Sequence, residues 1–275
     1  MLLLSLCTIK EDKKGRVMLR IGRIPFLNLM PIFYYLQRCC QDRYSFISGV
    51  PSEVNDYLRK GIIDISPSSS IEYLRGRHSY RIVPGHSISS FGAVKSIYLF
   101  TKKPIEALEG ELILYTYKSE ASTALLRIVC DRFYGLACIY RESRQPLKDG
   151  LESASGYLLI GDEAMVEFKN NRHYHAYDLG ELWYEKTGLP FVFALWIANA
   201  NVDDEAIKDV KADLDSARQW AEGQYRTLAR ESGLAKTLGE DFIVKYWESL
   251  SYGFEEPHMK GLELFDKYLN ESGLL

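Results

Sequence analysis

Short apolar runs alternate with amphipathic segments along most of this 275-residue chain. After an opening strand near Ile21, apolar runs predict strands at residues 44–48, 62–65, 82–83, 97–101, 112–117, 137–140, 157–160, 173–178 and 191–198. Helical spacing predicts helices at 31–38, 51–60, 122–133, 163–168, 204–222, 224–231, 241–249 and 255–268, with another starting near Ile71 and no further strand after residue 202. Strands and helices joined by short links predict an α/β fold with mainly parallel pairing.

The opening stretch carries the first candidate for binding. Residues 21–31 read Ile-Gly-Arg-Ile-Pro-Phe-Leu-Asn-Leu-Met-Pro, so Pro25 and Asn28 interrupt the apolar run and Pro31 opens the next helix. Asn28 is therefore expected just outside the carboxyl end of a strand, where open α/β sheets place ligand-binding groups. Its amide can donate and accept hydrogen bonds without a change of charge. The alternative, a helix cap or an Asx turn, stays open.

Hydroxyl groups cluster at two further helix starts. Residues 66–70 (Ser-Pro-Ser-Ser-Ser) follow a predicted strand, and Ser119, Ser122 and Thr123 follow another. Hydroxyls and free backbone N–H groups at a helix start suit an anion such as a carboxylate, although each cluster also fits an ordinary cap. Asp162 follows a third strand, and we favour a cap for it over a ligand or hinge contact.

Composition narrows the class of partner. The formal net charge is −3 with scattered Lys and Arg, so a small molecule is expected rather than nucleic acid or an anionic membrane. Five cysteines in mostly apolar segments predict reduced core thiols and a cytoplasmic protein. No apolar run has the length of a membrane span, and the first residues lack the positive start of an export signal. Residues 1–17 are interpreted as an extension with no role in the fold.

Motifs for covalent, nucleotide or redox chemistry are missing from the sequence. His173 and His175 would bind a metal only if a third ligand joined them, so neither a metal nor a cofactor is predicted. The predicted site is neutral and rich in hydroxyls, and it suits the binding and orientation of carboxylates.

A set of motifs resembles one family. Its parts are Gly-x-x-x-Phe-Leu-Asn-x-x-Pro (22–31), Gly-Val-Pro-Ser (49–52), Gly-x-x-Asp-x-x-x-x-Ser-Ser (61–70), Gly-x-Val-x-Ser (92–96), residues 119–126, and Thr-Gly-Leu-Pro-Phe-Val-Phe-Ala-x-Trp (187–196). Together they are similar to the chorismate dehydratase family of the futalosine route to menaquinone. The match spans Met18 to about Trp196.

The resemblance implies the fold of a type II periplasmic binding protein, with two α/β lobes, two crossing strands and a ligand cleft between the lobes. Residues 18–96 and 197–275 would form lobe 1, and residues 97–196 would form lobe 2. The helical C-terminal region would pack against lobe 1.

The resemblance also implies loss of water from chorismate to give 3-[(1-carboxyvinyl)oxy]benzoate. The family's asparagine falls on Asn28, which would bind the substrate and polarise the departing hydroxyl, and a family serine falls on Ser96, which would hydrogen-bond the substrate. The expected contacts for the two carboxylates are Ser69, Ser70, Ser119, Ser122 and Thr123. No side chain stands out as a base, so we hypothesise that the side-chain carboxylate of chorismate removes the ring proton.

Two other classes of function remain open. A solute-binding protein of the same fold would only capture a small aromatic or carboxylate ligand, because such a cleft serves binding and catalysis alike. A ligand-sensing domain of a regulator is disfavoured by the lack of a DNA-binding element.

Overall fold

A computed structural model describes residues 18–275, and the predicted extension at residues 1–17 lies outside the described part. Its strands are β1 (Leu19–Arg23), β2 (Tyr44–Ser48), β3 (Ile65–Ser69), β4 (Tyr80–Ser90), β5 (Ile97–Thr101), β6 (Leu112–Thr116), β7 (Ile139–Ser143), β8 (Gly156–Ile160), β9 (His175–Asp178), β10 (Phe191–Asn199) and β11 (Ser251–Phe254). Its helices are α1 (Met30–Cys39), α2 (Pro51–Arg59), α3 (Ser70–Arg75), α4 (Glu120–Ile128), α5 (Leu147–Ser153), α6 (Gly161–Asn170), α7 (Leu179–Thr187), α8 (Asp204–Glu222), α9 (Tyr225–Glu231), α10 (Ala235–Leu238), α11 (Glu240–Ser249) and α12 (Glu256–Glu271).

The strands form two separate sheets. Six strands pair in the order β11-β4-β10-β3-β1-β2, and five pair in the order β7-β6-β8-β5-β9. Each sheet mixes both kinds of pairing. Strand β1 is parallel to β2 and β3, and β6 is parallel to β7 and β8, whereas the neighbours β10 and β5 run antiparallel to these groups. The predicted mainly parallel pairing is wrong, because β4 and β10 enter the first sheet antiparallel to their neighbours and β5 does the same in the second.

Two crossings connect the sheets. The chain leaves β4 and enters β5 through residues 91–96, and it returns from α7 to β10 through residues 188–190. Strand β10 pairs with the first sheet from Phe191 onward, opposite Ser90. We therefore propose that lobe 2 ends at about residue 190, ahead of the boundary at 196 expected from the sequence.

Large aromatic side chains fill the core where the lobes and the C-terminal helices meet. Trp183 of α7 packs against Phe191 of β10 and Phe265 of α12, and all three are completely or almost completely buried. Burying a side chain of this size contributes about 1.5–3 kcal/mol relative to leaving it exposed. The second crossing is therefore held by apolar packing from both lobes.

Two predicted strands are longer or later than expected. The serine-rich segment predicted as a helix start is mostly strand β3, and the segment 86–90 predicted as a connection is the second half of β4. Strand β3 pairs with β1 at a single position, Ile65 opposite Ile21, and Pro67 comes after it. The missing N–H of Pro67 therefore removes no hydrogen bond from this parallel pairing. Pro84 lies opposite an irregularity in β10 between Leu195 and Ile197.

The C-terminal region is helical, as predicted, but not entirely. Strand β11 extends the first sheet beside β4, so the expectation of no further strand is wrong. Helix α8 packs against α1 and β4, and α12 packs against β10 and also against α3 and α4. The region therefore covers lobe 1 and touches lobe 2.

Within residues 18–275, no helix is both long enough and apolar enough to cross a membrane. The cysteines in this range are free, and Cys40 and Cys130 are buried as predicted for core thiols. Cys39 is exposed instead, because it lies on the outer face at the end of α1.

Candidate functional site

Asn28 lies in a short turn between β1 and α1. The turn is a 3-10 helix over Leu27–Leu29, and the cap residue of α1 is Leu29, which makes no side-chain cap bond. The Asn28 Oδ1 atom is buried and has no hydrogen-bond partner among residues 18–275, so the alternative of a helix cap is wrong. A buried amide oxygen without a partner carries a free-energy cost of about 1–3 kcal/mol, which a ligand that donates to it would offset.

Ser96 ends the first crossing, directly before β5. The residue before it, Lys95, has φ of 59°, a left-handed conformation that is uncommon for a residue with a side chain. Asp178 holds this conformation, because its carboxylate accepts hydrogen bonds from the amides of Val94 (3.0 Å) and Lys95 (2.6 Å). The same carboxylate caps α7, which fixes the crossing to the start of that helix.

A short series of hydrogen bonds connects the Asn28 turn to Ser96. The Leu27 amide donates to Asp162 Oδ1 at 3.0 Å, and the adjacent Gly161 amide donates to the Ser96 carbonyl oxygen at 2.7 Å. Gly161 has φ of 66°, a left-handed conformation that favours glycine, and a Cβ there would also crowd the ring of Phe26 at 3.2 Å. The structure therefore brings Asn28 and Ser96 to the same junction between the lobes.

Asp162 is not the cap that the sequence favoured. Helix α6 begins at Gly161 without a side-chain cap, and the Asp162 carboxylate instead reaches across to lobe 1. Burial raises the pKa of Asp162, whereas the bond from Leu27 and the charge of Lys118 lower it. The open alternative of a hinge contact therefore describes Asp162 better.

The sequence analysis missed three aromatic residues that contact this junction from the C-terminal region. The Tyr246 hydroxyl donates to Ser96 Oγ at 3.1 Å, and the Trp247 indole donates to the Leu27 carbonyl oxygen at 2.7 Å. The Tyr252 hydroxyl donates to the Asn28 carbonyl oxygen at 2.6 Å. These contacts span about 150 to 220 residues of sequence, and no local pattern signals them.

The two predicted serines on lobe 1 have different environments. Ser69 is the cap of α3, and its Oγ accepts bonds from the Asn55 side chain (3.0 Å) and the Glu72 amide (3.4 Å). Ser70 is completely buried, and its Oγ has no partner within the described residues. Ser69 therefore fits the cap alternative, and Ser70 has a free hydroxyl.

The three predicted hydroxyls on lobe 2 are clustered at the start of α4. Ser119 Oγ accepts from the Ser122 amide at 3.2 Å and lies 3.0 Å from Ser122 Oγ, while Thr123 Oγ1 donates to the Ser119 carbonyl oxygen at 3.0 Å. The cap alternative therefore holds for Ser119. Ser119 and Thr123 also line a cavity, described next.

Two cavities lie beside the helix starts at the lobe junction. One, of about 360 Å³, is lined by Ser119 and Thr123 together with Arg75 and Arg127. Arg75 forms an ion pair of 2.8 Å with Glu120 across the lobes, and Arg127 Nε is buried without a hydrogen-bond partner in the described part of the chain. Glu120 and Glu142 also line this cavity, so the formal charges of the two arginines and two glutamates cancel, and the cavity contains charged side chains beside the predicted hydroxyls.

The larger cavity, of about 660 Å³, lies against the Asn28 turn. Phe26, Leu27, Arg23 and Asp162 are among its lining residues. Arg23 Nε is also buried and has no partner within residues 18–275. This second cavity thus contains aromatic rings, Arg23 and Arg38, and the carboxylates of Asp162 and Glu231, and its arginines are the groups there that can bind a carboxylate.

The described residues include no group of three or more His, Cys, Asp and Glu side chains placed to hold a metal ion. His175 begins β9, and a third ligand for it and His173 is not present in that part of the chain. The site contains amide, hydroxyl, phenol and guanidinium groups, which bind and orient oxygen-rich ligands, together with carboxylates such as that of Asp162.

Comparison with known proteins points to one pathway. A profile of proteins of menaquinone biosynthesis matches residues 19–271. A Thermus thermophilus protein named chorismate dehydratase is 28% identical over 264 residues, which cover 90% of this chain and 94% of that protein. A Campylobacter jejuni protein of the same name is 28% identical over 178 residues, which cover 63% of this chain and 64% of that protein.

Solved structures establish the fold. A protein from Archaeoglobus fulgidus superimposes with a TM-score of 0.78 at 15% identity, over 94% of this chain and 98% of that one. The periplasmic aliphatic sulphonate binding protein of Escherichia coli superimposes with a TM-score of 0.65 at 15% identity, over 94% and 93%. The predicted two-lobed fold of periplasmic binding proteins is confirmed.

Proposed function

Because the chain belongs to the menaquinone biosynthesis family, we propose that it is a chorismate dehydratase, a lyase that removes water from chorismate to give 3-[(1-carboxyvinyl)oxy]benzoate. The observation that carries the proposal is the convergence of Asn28, in the turn after β1, and Ser96, at the end of the first crossing, on one junction that Gly161 and Asp162 of lobe 2 complete by hydrogen bonds. The relatives named chorismate dehydratase support the choice of substrate.

The proposed reaction requires few catalytic groups from the protein. One C–O bond of the ring breaks as the hydroxyl leaves, one ring C–H bond loses its proton, and the electron pair of that bond completes an aromatic ring. The proton and the hydroxyl together give one water. Because aromatisation drives the elimination, holding the substrate in the reactive geometry supplies most of what catalysis requires.

Asn28 and Ser96 are assigned the polar contacts to the reacting region. The buried Asn28 Oδ1 lacks a partner and can accept a bond from the substrate hydroxyl, and its NH₂ group can donate to the same oxygen as it departs. Ser96 hydrogen-bonds the substrate from the other side of the junction. The ring proton is assigned to the side-chain carboxylate of chorismate, since the protein carboxylate at this junction, Asp162, already accepts the hydrogen bond from the Leu27 amide that joins the lobes.

Substrate carboxylates are assigned to the hydroxyl clusters and the arginines beside them. Ser119 and Thr123 share a cavity with Arg127, whose buried Nε is free to donate. Ser69, Ser70 and Ser122 complete the proposed set of hydroxyls. Guanidinium groups bind carboxylates by charge-assisted hydrogen bonds, which are about twice as strong as neutral ones.

The test is incubation of the protein with chorismate, followed by absorbance and mass analysis of the products. The expected result is an aromatic product lighter than chorismate by one water, formed at a rate proportional to protein concentration. An analogue without the enolpyruvyl carboxylate should bind but should not react.

The fold similarity to the aliphatic sulphonate binding protein favours a second candidate, a solute-binding protein for a small carboxylate. The same experiment separates the two functions. Tight binding of chorismate without any aromatic product supports the binding protein and rejects the lyase.

A further inference from the structure

Residues 246–252 contact both of the residues assigned to the reaction. Tyr246 bonds Ser96, Trp247 bonds the carbonyl oxygen before Asn28, and Tyr252 bonds the carbonyl oxygen of Asn28 itself. This segment ends α11 and enters β11, so it is fixed to the first sheet at one end and to the helical region at the other. The C-terminal region thus completes the junction between the lobes.

Tyr246 differs from the other two because it contacts a side chain. Its hydroxyl lies 3.1 Å from Ser96 Oγ, and the whole residue is 1% exposed. Burial raises the pKa of the phenol above its ordinary value, so the hydroxyl keeps its proton. The Ser96 hydroxyl donates to the Val94 carbonyl oxygen, which leaves the phenol as the donor between the two hydroxyls. Ser96 Oγ is therefore the acceptor in this bond.

The direction of this bond decides what Ser96 can do. A serine hydroxyl has one proton to donate, and the bond from Tyr246 occupies one of its lone pairs. The acceptor given to Ser96 within the protein is the Val94 carbonyl oxygen at 3.4 Å, which is long for an O–H···O bond. The Ser96 hydroxyl thus makes only a weak hydrogen bond as a donor within the protein, and its O–H group is available to donate to a ligand oxygen.

We propose that Tyr246 is a positioning residue that fixes Ser96 as a hydrogen-bond donor to an oxygen of the substrate. The inference rests on the proposed function, because it concerns the role of Ser96 in that reaction. Without the phenol, the Ser96 hydroxyl can rotate to other acceptors and its oxygen loses the donor that orients it. The loss should fall on turnover more than on binding.

The experiment compares Tyr246→Phe, Ser96→Ala and the double variant in the conversion of chorismate. Y246F keeps the ring that packs in the core and removes only the hydroxyl. We expect kcat to fall about tenfold in Y246F, the typical effect of one hydrogen bond in a transition state, with KM changed less than about threefold. Because Tyr246 acts through Ser96, the double variant should match S96A within about twofold.

Tyr44→Phe is the matched control, since Tyr44 is also a buried tyrosine of the first lobe whose hydroxyl bonds Asp213 away from the junction. Y44F should lose thermal stability as Y246F does and keep its kcat. Binding of the aromatic product, measured by calorimetry on both variants, shows that the cleft is intact.

Two results would overturn the inference while leaving the proposed function in place. One is a Y246F enzyme with the kcat of the wild type, and the other is a Y246F effect that multiplies the S96A effect in full. A wild-type protein that leaves chorismate unchanged overturns the proposed function itself, and the role of Tyr246 with it.

Discussion

The backbone amide of Leu27 donates a hydrogen bond of 3.0 Å to Oδ1 of Asp162, and this bond joins the two lobes one residue before Asn28. It forms only when the lobes are together, since Leu27 lies in the 3-10 turn after β1 of the first sheet and Asp162 in the first turn of α6. In separated lobes both groups would be hydrated. The contact therefore favours the arrangement in which Asn28 faces lobe 2.

Removing the Asp162 carboxylate should disfavour this arrangement. Asp162→Ala leaves the Leu27 amide without its acceptor, and we expect KM for chorismate to rise roughly tenfold, equivalent to ~1.4 kcal/mol. Asp162→Asn keeps a carbonyl oxygen at the same place and should stay within about threefold of the wild type. Steady-state kinetics on both variants measures the effect.

Asp149→Ala is the control for this series, because Asp149 also lies in the first turn of a lobe 2 helix but is exposed. Its KM should equal that of the wild type. A D162A enzyme with unchanged KM would show that the contact between the lobes contributes nothing to substrate capture.

Asn28→Ala should affect turnover far more than binding. The variant removes the amide assigned to the departing hydroxyl, and a polar group that acts in the transition state is worth about a hundredfold or more in kcat. Binding of chorismate under single-turnover conditions should weaken by less than about tenfold. Asn201→Ala, in the exposed turn after β10, is the control. Equal losses in kcat and affinity would instead assign Asn28 to binding alone.

The sequence predicted most elements because their patterns are local, whereas the expectation of two lobes came from the family resemblance. Strands such as β2 and β5 and the long helix α8 were predicted with the bounds that they have, since each combines one periodicity with clear breakers at its ends. Strand β3 was not, because its serines and its proline have low strand propensity. Pairing with β10 over five register positions outweighs that propensity.

The candidate site was predictable only in part for a related reason. Asn28 and the serines lie at element ends, and that position can be inferred from the sequence of the element itself. Tyr246, Trp247 and Asp178 reach the junction from distant elements, and their contacts depend on how α11 and α7 pack in three dimensions. Amphipathic spacing shows which helix face is buried but not which residue it meets.

Adjacent serines at the start of α3 should respond differently to substitution. Ser69→Ala removes the acceptor of two hydrogen bonds and should lower the free energy of unfolding by about 1–2 kcal/mol. Ser70→Ala removes a buried hydroxyl without a partner, so it should be neutral or slightly stabilising. As proposed carboxylate contacts, both serines should raise KM several-fold when replaced, but S70A should do so without a loss of stability, whereas S69A should lose stability as well.

Urea unfolding and steady-state kinetics on the two serine variants give both quantities, and each variant is the control for the other. Loss of stability in S70A as large as in S69A would mean that its hydroxyl has a structural partner. An unchanged KM in S70A would remove Ser70 from the proposed carboxylate contacts.

Asp178 should make stability depend on pH in a definite direction. Burial raises the pKa of its carboxyl to about 6, although the backbone N–H groups of Val94, Lys95, Gly180 and Glu181 oppose the shift. In the unfolded chain the group titrates near its ordinary value of about 4. Between these two values the folded protein holds a proton that the unfolded chain has lost, so unfolding releases a proton and rising pH favours it.

The Asp178 contribution to the free energy of unfolding should therefore fall by roughly 3 kcal/mol as pH rises from about 4 to about 6, which corresponds to a shift of about two pKa units. Above pH 6 the contribution should stay level. Asp178→Asn cannot ionise, so the wild type should lose stability relative to D178N across this window, on top of a constant difference from altered hydrogen bonds. Urea unfolding of both proteins at pH 4.5, 5, 6 and 7 measures the slope. Asp203→Asn is the control, because Asp203 caps α8 in the same way but is exposed. A difference between wild type and D178N that does not change with pH would mean that the four backbone donors outweigh burial, and that Asp178 holds the Ser96 crossing as a carboxylate throughout this range.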